Sequence, residues 1–84
     1  MPTYYVQDFK YTNPANDKTG DATMYGEESA HDHARAVQFT VDATAWLVNN
    51  FHWPRGSIEA GKFMSKQPAP ADGHKLTWNG KNWV

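Results

Sequence analysis

Between residues 29 and 50 the chain places apolar side chains every three or four positions. Ala30, Ala34, Val37, Val41, Ala45 and Val48 recur at these spacings. At 100° per residue they fall in a stripe about 80° wide, the signature of an amphipathic helix. Ser29 stands where a hydroxyl caps a helix by accepting an orphaned backbone amide. Asp32 follows at the positive end of the helix dipole, and Asn49-Asn50 with Trp53-Pro54 mark the end. The pattern predicts one helix from about residue 30 to 50. The competing reading is a strand over Val37-Gln38-Phe39-Thr40-Val41, which alternates with period two.

The flanking segments read as strands. Thr3 to Tyr11 alternates imperfectly and is rich in Tyr, Val and Phe, which suits a half-buried strand. Residues 12–21 (TNPANDKTGD) are a cluster of turn formers, and residues 22–27 predict a returning strand that closes an N-terminal β-hairpin. Residues 57–64 form a possible strand weakened by Gly61, and Gln67-Pro68-Ala69-Pro70-Ala71 is a stiff connector of polyproline type. At the end of the chain, Asn79-Gly80 predicts a two-residue hairpin turn that sets Trp78 against Lys81, Thr77 against Asn82 and Leu76 against Trp83. Leu76, Trp78 and Trp83 then share one face. The fold class expected is α+β, as a single domain over 1–84: an N-terminal β-hairpin, one central helix, and an arm at 65–84 whose β-hairpin packs on the helix.

The helix has a second apolar side. Away from the Ala/Val stripe lie Phe39, Ala43 and Trp46, with Leu47 nearby, and only the sector of His31, Arg35, Gln38, Asp42 and Asn49 is polar. A helix apolar on two sides must be covered twice. The Ala/Val stripe, with side chains small enough for close packing, is assigned to the N-terminal hairpin. The Phe39/Trp46 side is left to the C-terminal arm, to another copy of the chain, or to a different protein. Twelve of the 84 residues are Phe, Trp or Tyr. Part of this surplus is core, and part is expected at an interface, where Trp and Tyr dominate binding.

Composition narrows the class. A chain of 84 residues buries only about 60–65% of its unfolded surface, and small domains often add a disulfide or a metal. With no cysteine, neither a disulfide nor a thiolate zinc site can form, and the redox compartment stays open. No apolar run reaches the roughly 18–20 residues of a membrane helix, and the first residues lack the pattern of a secretory signal. A soluble, cytoplasmic protein is expected, with no membrane partner. Residues 1–50 carry a net charge of −4 and residues 51–84 carry +3, which makes Arg55, Lys62, Lys66, Lys75 and Lys81 candidate contacts for an anion.

Several fragments resemble chemistry and fail on inspection. Residues 56–63 (GSIEAGKF) approach the phosphate-cradling loop, but Phe63 stands where a magnesium-binding hydroxyl belongs. His31 and His33 would chelate one ion only from a strand, because residues two apart on a helix point about 200° from each other. In the first turn of a helix they are solvated. Ser29, Ser57 and Ser65 show no nucleophile–base spacing, so neither catalytic residues nor a cofactor are expected.

The run Pro68-Ala69-Pro70-Ala71-Asp72-Gly73-His74-Lys75-Leu76-Thr77-Trp78-Asn79-Gly80-Lys81-Asn82-Trp83-Val84 resembles the short Trp-containing terminal hairpins of some phage tail- and virion-associated proteins. The likeness covers 17 residues and implies assembly into a larger particle, so virion as well as cytoplasm is a location it suggests. It carries no active site with it. The sequence therefore points to a non-catalytic interaction protein that docks onto a larger protein assembly or onto copies of itself, as a phage virion component or an inhibitor of a host complex. Its anchors would be Phe39, Trp46, Trp53, Trp78 and Trp83. Two alternatives use the same residues differently. A nucleic-acid-binding module would set the basic C-terminal half on phosphates, and a carbohydrate-binding module would use the Trp face of the hairpin.

Overall fold

The computed structural model describes residues 2–29 and 32–84. One helix packs against one face of a four-stranded mixed sheet, an α+β arrangement. The elements run β1 (Tyr4–Thr12), β2 (Thr19–Glu27), α1 (His33–Asn50), a 3₁₀ turn (Arg55–Ser57), β3 (Ile58–Gln67) and β4 (His74–Leu76). The sheet order is β3-β1-β2-β4. β1 and β2 form the expected hairpin in unbroken antiparallel register from Tyr4↔Glu27 to Thr12↔Thr19. α1 then crosses the sheet, so that β3 pairs antiparallel with the far side of β1.

β4 completes the other edge, pairing parallel with β2 through Met24↔His74, Tyr25↔Lys75 and Gly26↔Leu76. The sequence reading places Leu76 in a strand of the terminal hairpin but gives no sign of this parallel pairing with β2, which rests on three residues. The proline-rich connector takes the chain from one sheet edge to the other. Pro70 and the Tyr25 ring close tightly on Gly73, where a side chain would collide with both.

The helix begins later than the sequence pattern predicts. Asp32 is its N-cap, with Oδ1 accepting the Arg35 amide at 3.2 Å, so the cap is not Ser29. The Ser29 carbonyl accepts the Asp32 amide instead. Ala30 and His31, the start of the predicted stripe and one of the two histidine ligand candidates, lie outside the described residues. Residues 37–41 are helical, which removes the strand reading.

The core is the larger correction. Phe39, Ala43 and Leu47 are buried against Tyr5, Phe9, Ala22 and Met24 of the sheet, with Leu76 and Trp83 from the C-terminal arm. The Phe39 side of the helix therefore faces the N-terminal hairpin, and the Ala/Val stripe faces away. Side-chain volume decides the exchange. Burial stabilises by apolar area, and Phe, Leu and Trp carry more of it than Ala and Val.

The C-terminal hairpin closes this core one register step from the expected pairing. Thr77 and Val84 exchange both backbone hydrogen bonds, at 2.9 and 2.8 Å, and Trp78 pairs with Trp83. Asn79 explains the shift, because its Oδ1 accepts the amides of Lys81 and Asn82 at 2.9 and 2.8 Å. Gly80-Lys81 thus sits at the turn centre, with Gly80 at φ +99°, a conformation that favours glycine. Leu76, Trp78 and Trp83 still share a face.

Asp42 locks the hairpin to the helix. Its buried carboxylate accepts the Trp83 amide at 2.9 Å, Asn82 Nδ2 at 3.2 Å and Gln38 Nε2 at 3.0 Å. Trp83 Nε1 in turn donates to the Arg35 carbonyl at 2.9 Å. The Trp83 ring lies over Gly26, where any Cβ would overlap it. A second buried polar bridge ties helix to sheet: the Gln7 side chain donates to the Gly61 carbonyl at 2.9 Å and accepts from the Thr40 hydroxyl at 2.7 Å.

Truncating Asp42 strands a buried amide, so Asp42→Ala should cost about 2–4 kcal/mol in denaturant melts, with Asp42→Asn in between. An unchanged midpoint for Asp42→Ala would show that the hairpin is not held this way. The two helix faces give an opposite pair. Leu47→Ala should cost about 2–5 kcal/mol. Val41→Ala, on the exposed side, should be neutral or stabilising by up to ~0.5 kcal/mol at sub-micromolar concentration, because Ala is the better helix former.

Candidate functional site

The face of α1 opposite the core is apolar and open. Val37 is 62% exposed and Val41 57%. Ala34 is also exposed, while Ala45 and Val48 are half-buried. At 100° per residue these five lie in one stripe about 180° from Phe39, Ala43 and Leu47. Single exposed valines are ordinary on a protein surface, but a continuous apolar stripe on a surface helix is not.

The charges that usually solvate such a face are absent from it. Within His33–Asn50 the charged residues are Arg35 and Asp42, with His33 also titratable. Asp42 is turned into the hairpin clamp. Arg35 lies on the hairpin side, its Nε 2.9 Å from Asp32 Oδ2 and its guanidinium 5.8 Å from the Trp78 ring centroid. The stripe is bordered only by His33, Gln38, Thr44 and Asn49. A surface helix of a monomer normally carries charge on its outer face.

The five aromatic residues expected as anchors do not form one surface. Phe39 is fully buried and Trp83 is 4% exposed, so neither can reach a partner while the fold is intact. Their rings meet edge to face at 5.3 Å inside the core. Trp78 is half-buried and packs edge to face on Trp83 at 5.5 Å. Trp46, also half-buried, is flanked by Phe51 at 5.4 Å and His74 at 5.3 Å. Trp53 stacks on Tyr11 at 5.2 Å. The aromatic surplus is thus largely a chain of ring contacts that seals a small core.

The five cations are dispersed. Lys62 and Lys66 lie on β3 at one edge of the sheet, Lys75 on β4 at the other, Arg55 in the 3₁₀ turn, and Lys81 at the hairpin tip. The segment that resembled a phosphate-cradling loop runs from the 3₁₀ turn into β3 with no helix after it, so no helix N-terminus faces a phosphate there. His33 is exposed in the first helical turn, and no group of metal-ligating side chains is found among the described residues. His74 meets Trp46 at a tilt and Phe51 edge to face.

Depressions on the described surface include a small one of 230 Å³ beside Glu27, Arg35, Lys75 and Trp78, and two others. One, of 640 Å³, lies over the β1, β2 and β3 backbones beside Asp8, Lys10, Asp21 and Glu59. There Asp8 already accepts the Thr23 hydroxyl at 2.6 Å. The other, of 390 Å³, lies between the helix start and β3, lined by Tyr5, Glu28, Asp32 and His33. Its carboxylates also serve the fold, since Glu28 Oε2 accepts the Lys66 amide at 2.7 Å and Asp32 caps the helix. Burial, reinforced by the negative charges of Glu28 and Asp32, raises the Tyr5 phenol above its ordinary pKa.

Comparison with protein-family models, with characterised proteins and with solved structures finds no match for this chain. No helix among the described residues is long and apolar enough to cross a membrane.

A tyrosine with a raised folded-state pKa keeps its proton at a pH where the unfolded chain releases it. Its stabilising contribution is therefore complete below about pH 10 and is lost as pH rises beyond that. Urea melts between about pH 8 and 11 should show the native chain losing stability more steeply than Tyr5→Phe. Parallel slopes would contradict the assignment.

Proposed function

We propose that the chain is a non-catalytic interaction protein that docks on another protein surface through the outer face of α1. The observation that carries this reading is the stripe Ala34, Val37, Val41, Ala45 and Val48, exposed at its first three members, half-buried at the last two, and without a charge of its own. Covering what remains exposed of Val37 and Val41 alone would contribute about 2–4 kcal/mol, a useful part of a binding energy. The sheet and hairpin hold this helix rigid, so docking needs little ordering. Trp46 and Trp78, both half-buried, lie nearer the core side and would serve at most as a rim.

Assembly into a larger particle, as in phage virion components, or blockade of a host complex both fit a protein of this kind. The terminal hairpin that resembles phage proteins here places Trp83 in its own core, so the reading rests on the helix instead. The basic residues that a nucleic-acid reading needs are dispersed over both sheet edges, the 3₁₀ turn and the hairpin tip. The hairpin tryptophans that a carbohydrate reading needs are turned inward.

Val41→Glu leaves the core untouched and places a charge in the centre of the stripe. Affinity capture from the native host should lose its specific partner with this variant while the thermal midpoint stays within a few degrees of the parent. A partner retained by Val41→Glu, and lost instead on substituting Trp78 or Lys75, would contradict docking through the helix.

A further inference from the structure

Resting on that docking reading, we infer that the partner on the helix face is a second copy of this chain, packed antiparallel about a two-fold axis through Val41. The argument is the symmetry of the stripe. Within α1 its members stand at Val41 and at four and seven residues on either side: Ala34, Val37, Val41, Ala45 and Val48. A two-fold axis perpendicular to a helix maps each position onto the one equally far beyond the axis. Val41 then meets Val41, Val37 meets Ala45, and Ala34 meets Val48.

Each off-axis pair sets a small side chain against a larger one, which lets two helices approach with uniform spacing. The polar border obeys the same rule, since Gln38 falls opposite Thr44 and His33 opposite Asn49. A parallel pair would instead set Ala34 on Ala34 and Val48 on Val48, leaving a gap at one end and crowding at the other. Antiparallel packing also brings the positive end of each helix dipole to the negative end of its partner.

Charge agrees. Like charges facing each other across a two-fold axis repel, and this stripe has none to repel. A neutral surface offers a charged partner no complement, but it suits a copy of itself. The axis falls near the middle of α1, which spans His33–Asn50, so both halves of the helix are used.

Area sets the strength. From Ala34 to Val48 the stripe is about 21 Å long at 1.5 Å per residue, and a helix is about 10–12 Å wide. Two such strips with their polar borders bury no more than roughly 1,200 Å², the low end for specific interfaces. An interface at this end of the size range is expected to be weak and reversible.

Sedimentation equilibrium of the purified full chain from about 5 μM to 1 mM should show a monomer–dimer equilibrium. Val41→Glu should raise the Kd at least ~100-fold, through two like charges at the axis. Mixing Val41→Glu with Val41→Lys should restore dimers that neither forms alone. Because the chain has no cysteine, single substitutions report the geometry. Val41→Cys should form a disulfide dimer readily, Ala34→Cys alone should not, and Ala34→Cys mixed with Val48→Cys should cross-link.

A wild-type chain that stays monomeric at 1 mM overturns the inference, as does a dimer indifferent to Val41→Glu. Ala34→Cys linking to itself as fast as Val41→Cys would overturn the antiparallel arrangement. Self-association is read on the isolated chain and docking on captured partners. A monomeric chain whose partner is lost with Val41→Glu refutes only the dimer; absence of both refutes the docking reading too.

Discussion

The fold depends on one buried carboxylate. Asp42 sits in the middle of the helix and accepts the main-chain amide of Trp83, so the last residues of the chain are fastened over the core. Without that carboxylate the polar ties left to the hairpin are the Trp83 Nε1 bond to the Arg35 carbonyl and the three-residue pairing of β4. The Trp83 ring would then leave Gly26 and Phe39 uncovered. A domain of this size with no disulfide has no reserve of buried area to replace it. The aromatic contacts that run from Trp53 through Phe51 and Trp46, and from Phe63 through Phe39 to Trp83 and Trp78, presuppose this closure.

That closure determines which side of the helix is left over. Once the sheet and hairpin have covered Phe39, Ala43 and Leu47, no element among the described residues is left for the opposite side. The Ala/Val stripe is thus apolar without serving the monomer's core. Selection for helix formation alone does not explain valine there, since Val is a poorer helix former than Ala, Glu or Lys. A surface on which β-branched apolar residues replace charge is the kind that the proposed docking would cover. The function proposed for the chain and the symmetry inferred for its partner both descend from this division of labour between the two faces of α1.

The sequence disclosed the helix, its two apolar sides and the N-terminal hairpin, because each rests on a local period of 3.6 or 2. It did not disclose which side is core. Periodicity weighs Val37 and Phe39 alike, whereas packing weighs them by volume. The sequence pattern places Asp42 only in the polar sector of the helix, which does not distinguish a buried carboxylate from a solvated one. Its burial follows from three donors that come from Gln38 and from 40 residues away at Asn82 and Trp83. The hairpin register was misjudged by one residue, since an Asx bond from Asn79 moves the turn centre onto Gly80-Lys81. The stripe that the sequence pattern sets against the N-terminal hairpin is the one whose centre, at Val37 and Val41, the fold leaves exposed.

Methyl resonances of the isolated chain test the central claim most directly, by two-dimensional carbon–proton NMR from about 10 μM to 1 mM. If the outer face of α1 is a self-complementary docking surface, the methyl signals of Val37, Val41 and Val48 shift together along one binding curve. Those of Leu47 and Leu76, in the core, stay fixed. Valine signals that do not move over this range, or that move no more than Leu47 and Leu76, would contradict it.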